Sequence, residues 1–215
     1  MFPLMSLGLS VLVLMLFGLA GVSSLSLSPT DVQSGSTSTA TVTLDAAPPR
    51  AGVQVNLSNS NTSVATVPAS VLVSGSRTKN FSVGSVRGAA GCATISARVG
   101  TTSRSAQLFV LPSNSSSPVT LTLSKSSVAG GGSLTGRVVV AEPSAVGKVI
   151  QLGSSNPSVT VPASVTLSPN EIGVAEATFN INTAVVAPST CSVITATLAG
   201  SPASRKLLKV FTISG

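Results

Sequence analysis

The sequence predicts an all-β protein: two tandem β-sandwiches preceded by a hydrophobic N-terminal segment. Three observations carry this reading. Val, Thr and Ser dominate a 215-residue chain that is 43% hydrophobic and only 8% charged, the usage of short strands joined by turns and not of a disordered tail. Apolar and polar residues alternate with period two, as in "TATVTL" ending at Leu44, where Ala40, Val42 and Leu44 face one way and Thr39, Thr41 and Thr43 the other. One phrase also occurs twice, "VATVPASVLVSG" from Val64 and "VTVPASVTLSP" from Val159, and marks an internal repeat.

Residues 1–24, "MFPLMSLGLSVLVLMLFGLAGVSS", form an apolar run with no Lys or Arg. They read as a signal peptide or an N-terminal membrane anchor, with Ala20, Gly21, Ser23 and Ser24 offering small residues for cleavage. Export or surface display follows, with membrane contact only through this segment if it is retained. Export also gives meaning, in a eukaryotic secretory route, to the N-x-Ser/Thr patterns at Asn56, Asn61, Asn80 and Asn114.

The repeat organises the remainder into a first sandwich at 25–112, a linker at 113–118 and a second sandwich at 119–215. "LSLSPTDVQSG" at Leu25 answers "LTLSKSSVAGG" at Leu121, and "CATISARV" at Cys92 answers "CSVITATL" at Cys191. The closing segments "QLFVLP" and "KVFTIS" are likewise matched. Strands are expected near 25–28, 37–44, 53–58, 63–67, 77–83, 92–99 and 104–111, the last part of the repeated phrase resuming as a strand through Val71 and Val73. Connections this short leave no room for crossover helices, so the strands pair antiparallel in two packed sheets. Pro68 ends its strand because it lacks an amide donor, while Asn61, Ser63, Asn156 and Ser158 hold the preceding turns. Phe81 and Phe179 occupy equivalent places and are expected in the cores. For Phe109 and Phe211 the alternation leaves the face open.

Chemistry is sparse. The chain has no His, so the usual general base is missing. The five acids, Asp31, Asp45, Glu142, Glu171 and Glu176, are spread over turns and exposed strand positions, which predicts no catalytic residues, no metal ligands, no cofactor and no enzyme. Net charge is +7, divided between both halves without a basic stripe, and nucleic acid is not an expected partner. Arg205, Lys206 and Lys209 form the nearest basic cluster and read as a solvated strand edge. Cys92 and Cys191 occupy matching positions, one per sandwich. They are expected as unpaired small hydrophobes, or as intermolecular thiols if exposed; a bridge between them would require the two sandwiches to fold back on one another.

The runs "SNSNTSVATVPASVLVSGS", "SSNPSVTVPASVTLSP", "TISARVG" and "VITATLAG" resemble the bacterial-type immunoglobulin-like (Big-like) tandem repeats of secreted and cell-surface proteins. The resemblance covers almost everything from Leu25 to Gly215. It implies immunoglobulin-like sandwiches serving as non-enzymatic structural or adhesive spacers at the cell surface. The alternative it leaves is a glycan- or protein-binding module of a larger surface protein, with surface glycans or other extracellular proteins as partners.

Overall fold

The structure, a computed structural model, describes residues 20–113 and 116–212. In the first half nine strands form: β1 Val22–Ser28, β2 Asp31–Gln33, β3 Thr37–Leu44, β4 Val53–Asn59, β5 Ala65–Thr66, β6 Ser70–Val73, β7 Thr78–Ser85, β8 Gly91–Val99 and β9 Thr102–Leu111. They build two sheets, ordered β1-β3-β7-β5 and β2-β9-β8-β4-β6. In the second half β10 Val119–Leu123, β11 Ser127–Ala129, β12 Ser133–Val140, β13 Val149–Ser154, β14 Val159–Thr160, β15 Ser164–Thr166, β16 Ser168–Pro169, β17 Ala175–Thr183, β18 Thr190–Leu198 and β19 Ser204–Phe211 repeat the plan. Their sheets are β10-β12-β17-β14, with β16 also on β17, and β11-β19-β18-β13-β15. Strands one, three and seven in one sheet, against four, eight and nine in the other, give an immunoglobulin-like sandwich.

Alternation decides each core. Ala40, Val42 and Leu44 of β3 are buried, as are Val138 and Val140 of β12. Each sandwich closes around its own cluster, with Val55, Ile95 and Leu108 in the first and Ile150, Ile194 and Leu208 in the second. Phe81 lies opposite Ala40 and Phe179 opposite Gly136, both rings buried as expected. A Cβ at Gly136 would overlap the Phe179 ring, so glycine makes the seat on which that ring lies.

The repeated phrase marks a crossing between sheets. The single strand expected near 63–67 is short: β5 pairs with β7 in one sheet, Pro68 interrupts, and β6 pairs with β4 in the other. The second copy does the same around Pro162, with β14 on β17 and β15 on β13. The first strand is also divided. β1 runs antiparallel to β3, then β2 runs parallel to β9, with Pro29 between them. Segments of three residues such as β2 are too short to show a period, which is why β2 and β11 are absent from the sequence-based strand set.

The first sandwich begins before residue 25. Ala20 and Val22 are buried, the Gly21 amide donates to Asp45 Oδ1 at 2.8 Å, and the Val22 amide donates to Thr102 Oγ1 at 2.8 Å. A register shift between Val22 and Ser24 breaks the alternation there and hides the strand start. Ala20 to Ser24 therefore lie within the β fold; the rest of the segment read as a leader, residues 1–19, lies outside the described residues. A chain starting at Leu25 is expected to lose about 2–4 kcal/mol of stability relative to one starting at Ala20, from the buried Val22 side chain and the two amide bonds. Urea denaturation of the two truncations, in parallel, checks this.

One carboxylate couples stability to pH. Glu176 on the outer face of β17 accepts from the Arg137 guanidinium and, at 3.1 Å, from Asn170 Nδ2. The hydrogen bond from Arg137, then that from Asn170, holds its pKa below the ordinary value. A depressed carboxylate contributes stability above its unfolded pKa and loses it as pH falls through the folded one. Stability should therefore drop less between about pH 5 and about pH 3 in Glu176→Gln than in the parent, as read from denaturation midpoints across that range.

Candidate functional site

The residues with the most specific geometry meet between the sandwiches. In β8, Gly91, Ala93, Ile95 and Ala97 face the core, so the period of two turns Cys92 outward. In β18, Ile194 and Ala196 face the core and Cys191 turns outward in the same phase. The outer faces of β8 and β9 lie against those of β18 and β19, and Cys92 and Cys191 are joined there by a disulfide with their Cα atoms 6.1 Å apart. This corrects the expectation of unpaired or intermolecular thiols. The phase of each strand points its cysteine away from its own core, and the sandwiches do fold back on one another.

Around the bridge lies a third apolar cluster, separate from both cores. Phe109, Val193 and Leu207 are buried in it beside Cys191, with Ala90, Cys92 and Leu111 packed against them. The run "LFVL" thus shows apolar side chains on both faces: Leu108 and Val110 face the core, and Phe109 and Leu111 face the seam. Burial of Phe109, Val193 and Leu207 stabilises the contact by about 1.5–3 kcal/mol each. The bridge closes a loop across 99 positions, for which restriction of the unfolded chain is worth about 4–5 kcal/mol.

Polar groups complete the seam. Lys209 Nζ contacts Asp31 Oδ1 at 2.7 Å and Oδ2 at 2.6 Å, and lies 4.2 Å from the centre of the Phe109 ring. The carboxylate and the ring's π face both attract this ammonium, while the lysine stem covers the apolar cluster. Lys209 is therefore not part of a solvated edge; Arg205 and Lys206 remain exposed. Gln107 Nε2 donates to the Ser189 carbonyl at 2.7 Å, and Arg205 Nη1 reaches the Gly88 carbonyl at 3.4 Å.

The contact relates equivalent positions, as a two-fold axis would. Cys92 lies opposite Phe109 in its hairpin, and Cys191 opposite Lys209, so Phe109 and Lys209 are counterparts. Asp31 beside Phe109 is then the counterpart of Ser127 beside Lys209. The match of "QLFVLP" to "KVFTIS" is consequently off by two: Leu111, not Phe109, corresponds to Phe211, which is half-exposed. The repeated Ser-Asn turns buttress the bridge in the same symmetric way. Ser60 Oγ accepts from the Thr94 amide and Ser155 Oγ from the Val193 amide, while Asn61 Nδ2 donates to the Cys92 carbonyl and Asn156 Nδ2 to the Cys191 carbonyl. Asn61 and Asn156 thus also fix the cysteine strands, beyond the turn-holding role read from sequence, and Ser60 and Ser155 join them. Between these turns runs a groove of about 490 Å³ whose lining carries no charged side chain.

The remaining sequence candidates lie apart. Asn56 and Asn80 are exposed on β4 and β7, with Asn80 Oδ1 accepting from Thr41 Oγ1 at 3.0 Å. Asn61 lines the groove, and Asn114 lies outside the described residues. Asp31 and Asp45 are engaged in the seam and at the first strand, respectively.

No protein-family model matches the chain, and no curated protein matches it. Among solved structures it is similar to the D0-D1 domain of intimin, with 16% identity over 89% of this chain and 100% of that one and a TM-score of 0.36. It is similar to domains 5-6 of the S-layer protein SbsC, with 16% identity over 91% and 100% and a TM-score of 0.34. It is also similar to the Escherichia coli adhesin FdeC, with 15% identity over 89% and 63% and a TM-score of 0.36. The fold is assigned from this chain's own strand order and closed cores.

Replacing both cysteines, as Cys92→Ser with Cys191→Ser, is expected to lower stability by about 2–5 kcal/mol while the sheets persist. Guanidinium denaturation of this variant and of the reduced parent should give the same loss.

Proposed function

We propose that this chain is an exported, non-enzymatic structural or adhesive protein, in which two immunoglobulin-like sandwiches act together as one covalently locked spacer. The observation that carries this reading is the Cys92–Cys191 bridge inside an apolar seam. Disulfides of this kind form and persist in oxidising compartments, in keeping with the apolar segment at residues 1–24 that reads as a signal peptide or membrane anchor. A lock between sandwiches, each already closed on its own core, adds stiffness and not a reaction centre. The absence of His from the sequence and the engagement of Asp31 and Asp45 in structural bonds agree with it. The sequence resemblance to bacterial-type immunoglobulin-like repeats points the same way.

The uncharged groove beside the bridge favours a second reading, a glycan- or protein-binding module. Its Ser, Thr, Asn and Gln side chains suit a neutral, hydroxyl-rich partner better than an acidic one.

Cell fractionation with free thiols alkylated before lysis tests the proposal. Non-reducing mass spectrometry should find the Cys92–Cys191 cross-linked peptide in the exported or membrane fraction. Recovery of both cysteines in alkylated form from the cytosolic fraction would overturn it.

A further inference from the structure

We propose that the seam is also a self-assembly surface, through which the first sandwich of one molecule pairs with the second sandwich of another copy of this chain. The inference deepens the structural reading above and rests on how the seam departs from symmetry. Backbone positions match across it, but the side chains at the decisive pair do not. The first sandwich presents Asp31 and Phe109, an anion beside an aromatic ring; the second presents Lys209 and Ser127, a cation beside a small hydroxyl.

Three pairings of faces are sterically related: first with second, first with first, and second with second. Only the first with second sets Lys209 against both Asp31 and Phe109. Two first faces would set Phe109 against Asp31 and against Phe109 with no cation between them, and two second faces would oppose ammonium to ammonium. The seam thus favours one pairing, leaves a second without its cation and repels the third, which is how specificity is built into an interface.

Nothing in that chemistry requires the two faces to belong to the same chain. Their connection is the short segment between Leu111 of β9 and Val119 of β10. In one chain a short flexible link gives an effective concentration on the order of millimolar, so the intrachain seam dominates in dilute solution. On a crowded surface the same contact between molecules becomes competitive. Because it joins unlike faces, it either closes as an exchanged dimer or continues as a chain of molecules. The interchain bridge forms by thiol–disulfide exchange with a small disulfide such as oxidised glutathione. One cysteine thiolate attacks it and releases one reduced glutathione. The second cysteine thiolate then displaces the other, which carries away the remaining electron pair; the two protons end on the released thiols.

The test mixes the single variants Cys92→Ser and Cys191→Ser, as full chains in mild detergent, reduced and then oxidised with glutathione. Neither variant can make the intrachain bridge. The expected result, on a non-reducing gel with mass-tagged chains, is a Cys191–Cys92 heterodimer that exceeds either homodimer by at least about fivefold. Asp31→Lys should abolish the excess, and combining it with Lys209→Asp in the partner variant should restore it. Dimers in random proportion, or no dimers, would overturn the inference. Neither result would alter recovery of the intrachain cross-linked peptide from the parent, so the locked-spacer reading is judged separately.

Discussion

The phase of one strand governs the relation between the two halves of this molecule. With Ala93 and Ile95 facing the core of the first sandwich, Cys92 has to face out, and the same phase in β18 turns out Cys191. A shift of one residue would bury both sulfurs in separate cores, about a sheet's thickness from any partner. The covalent lock, the burial of Phe109 and Leu207, and the groove beside them all follow from that alternation.

The seam is instructive because its backbone is nearly symmetric and its side chains are not. Matching Ser-Asn turns hold matching cysteine strands, the economy of a duplicated fold. Onto this frame the two copies have placed unlike groups at one pair of positions, Phe109 and Lys209, with Asp31 next to the ring. The ion pair is half-exposed and contributes modestly to stability. Its larger effect is on which faces can meet.

Much of the fold was legible in the sequence because its signals are local. Alternation located the inward residues of β3, and the duplicated phrase located the strand break at Pro68, where the chain in fact changes sheets. Phe81 and Phe179 were correctly placed in the cores. The site was less legible, since it depends on contacts between residues remote in sequence. Yet two local signals bore on it. "GCATISARV" places its cysteine out of phase with the core residues, and "LFVL" is apolar on both faces, more than a strand covered on one side requires. Lys209 gave no such signal, because a lysine that covers an aromatic ring and one that points into water read alike in a sequence.

The bridge also changes what the connection at 112–118 has to do. A polypeptide closed on itself from Cys92 to Cys191 does not depend on that connection for its integrity. Cleavage within the segment would leave two pieces travelling as one particle, separable only by a reductant. A cut in that Ser-rich joint would therefore not part the halves.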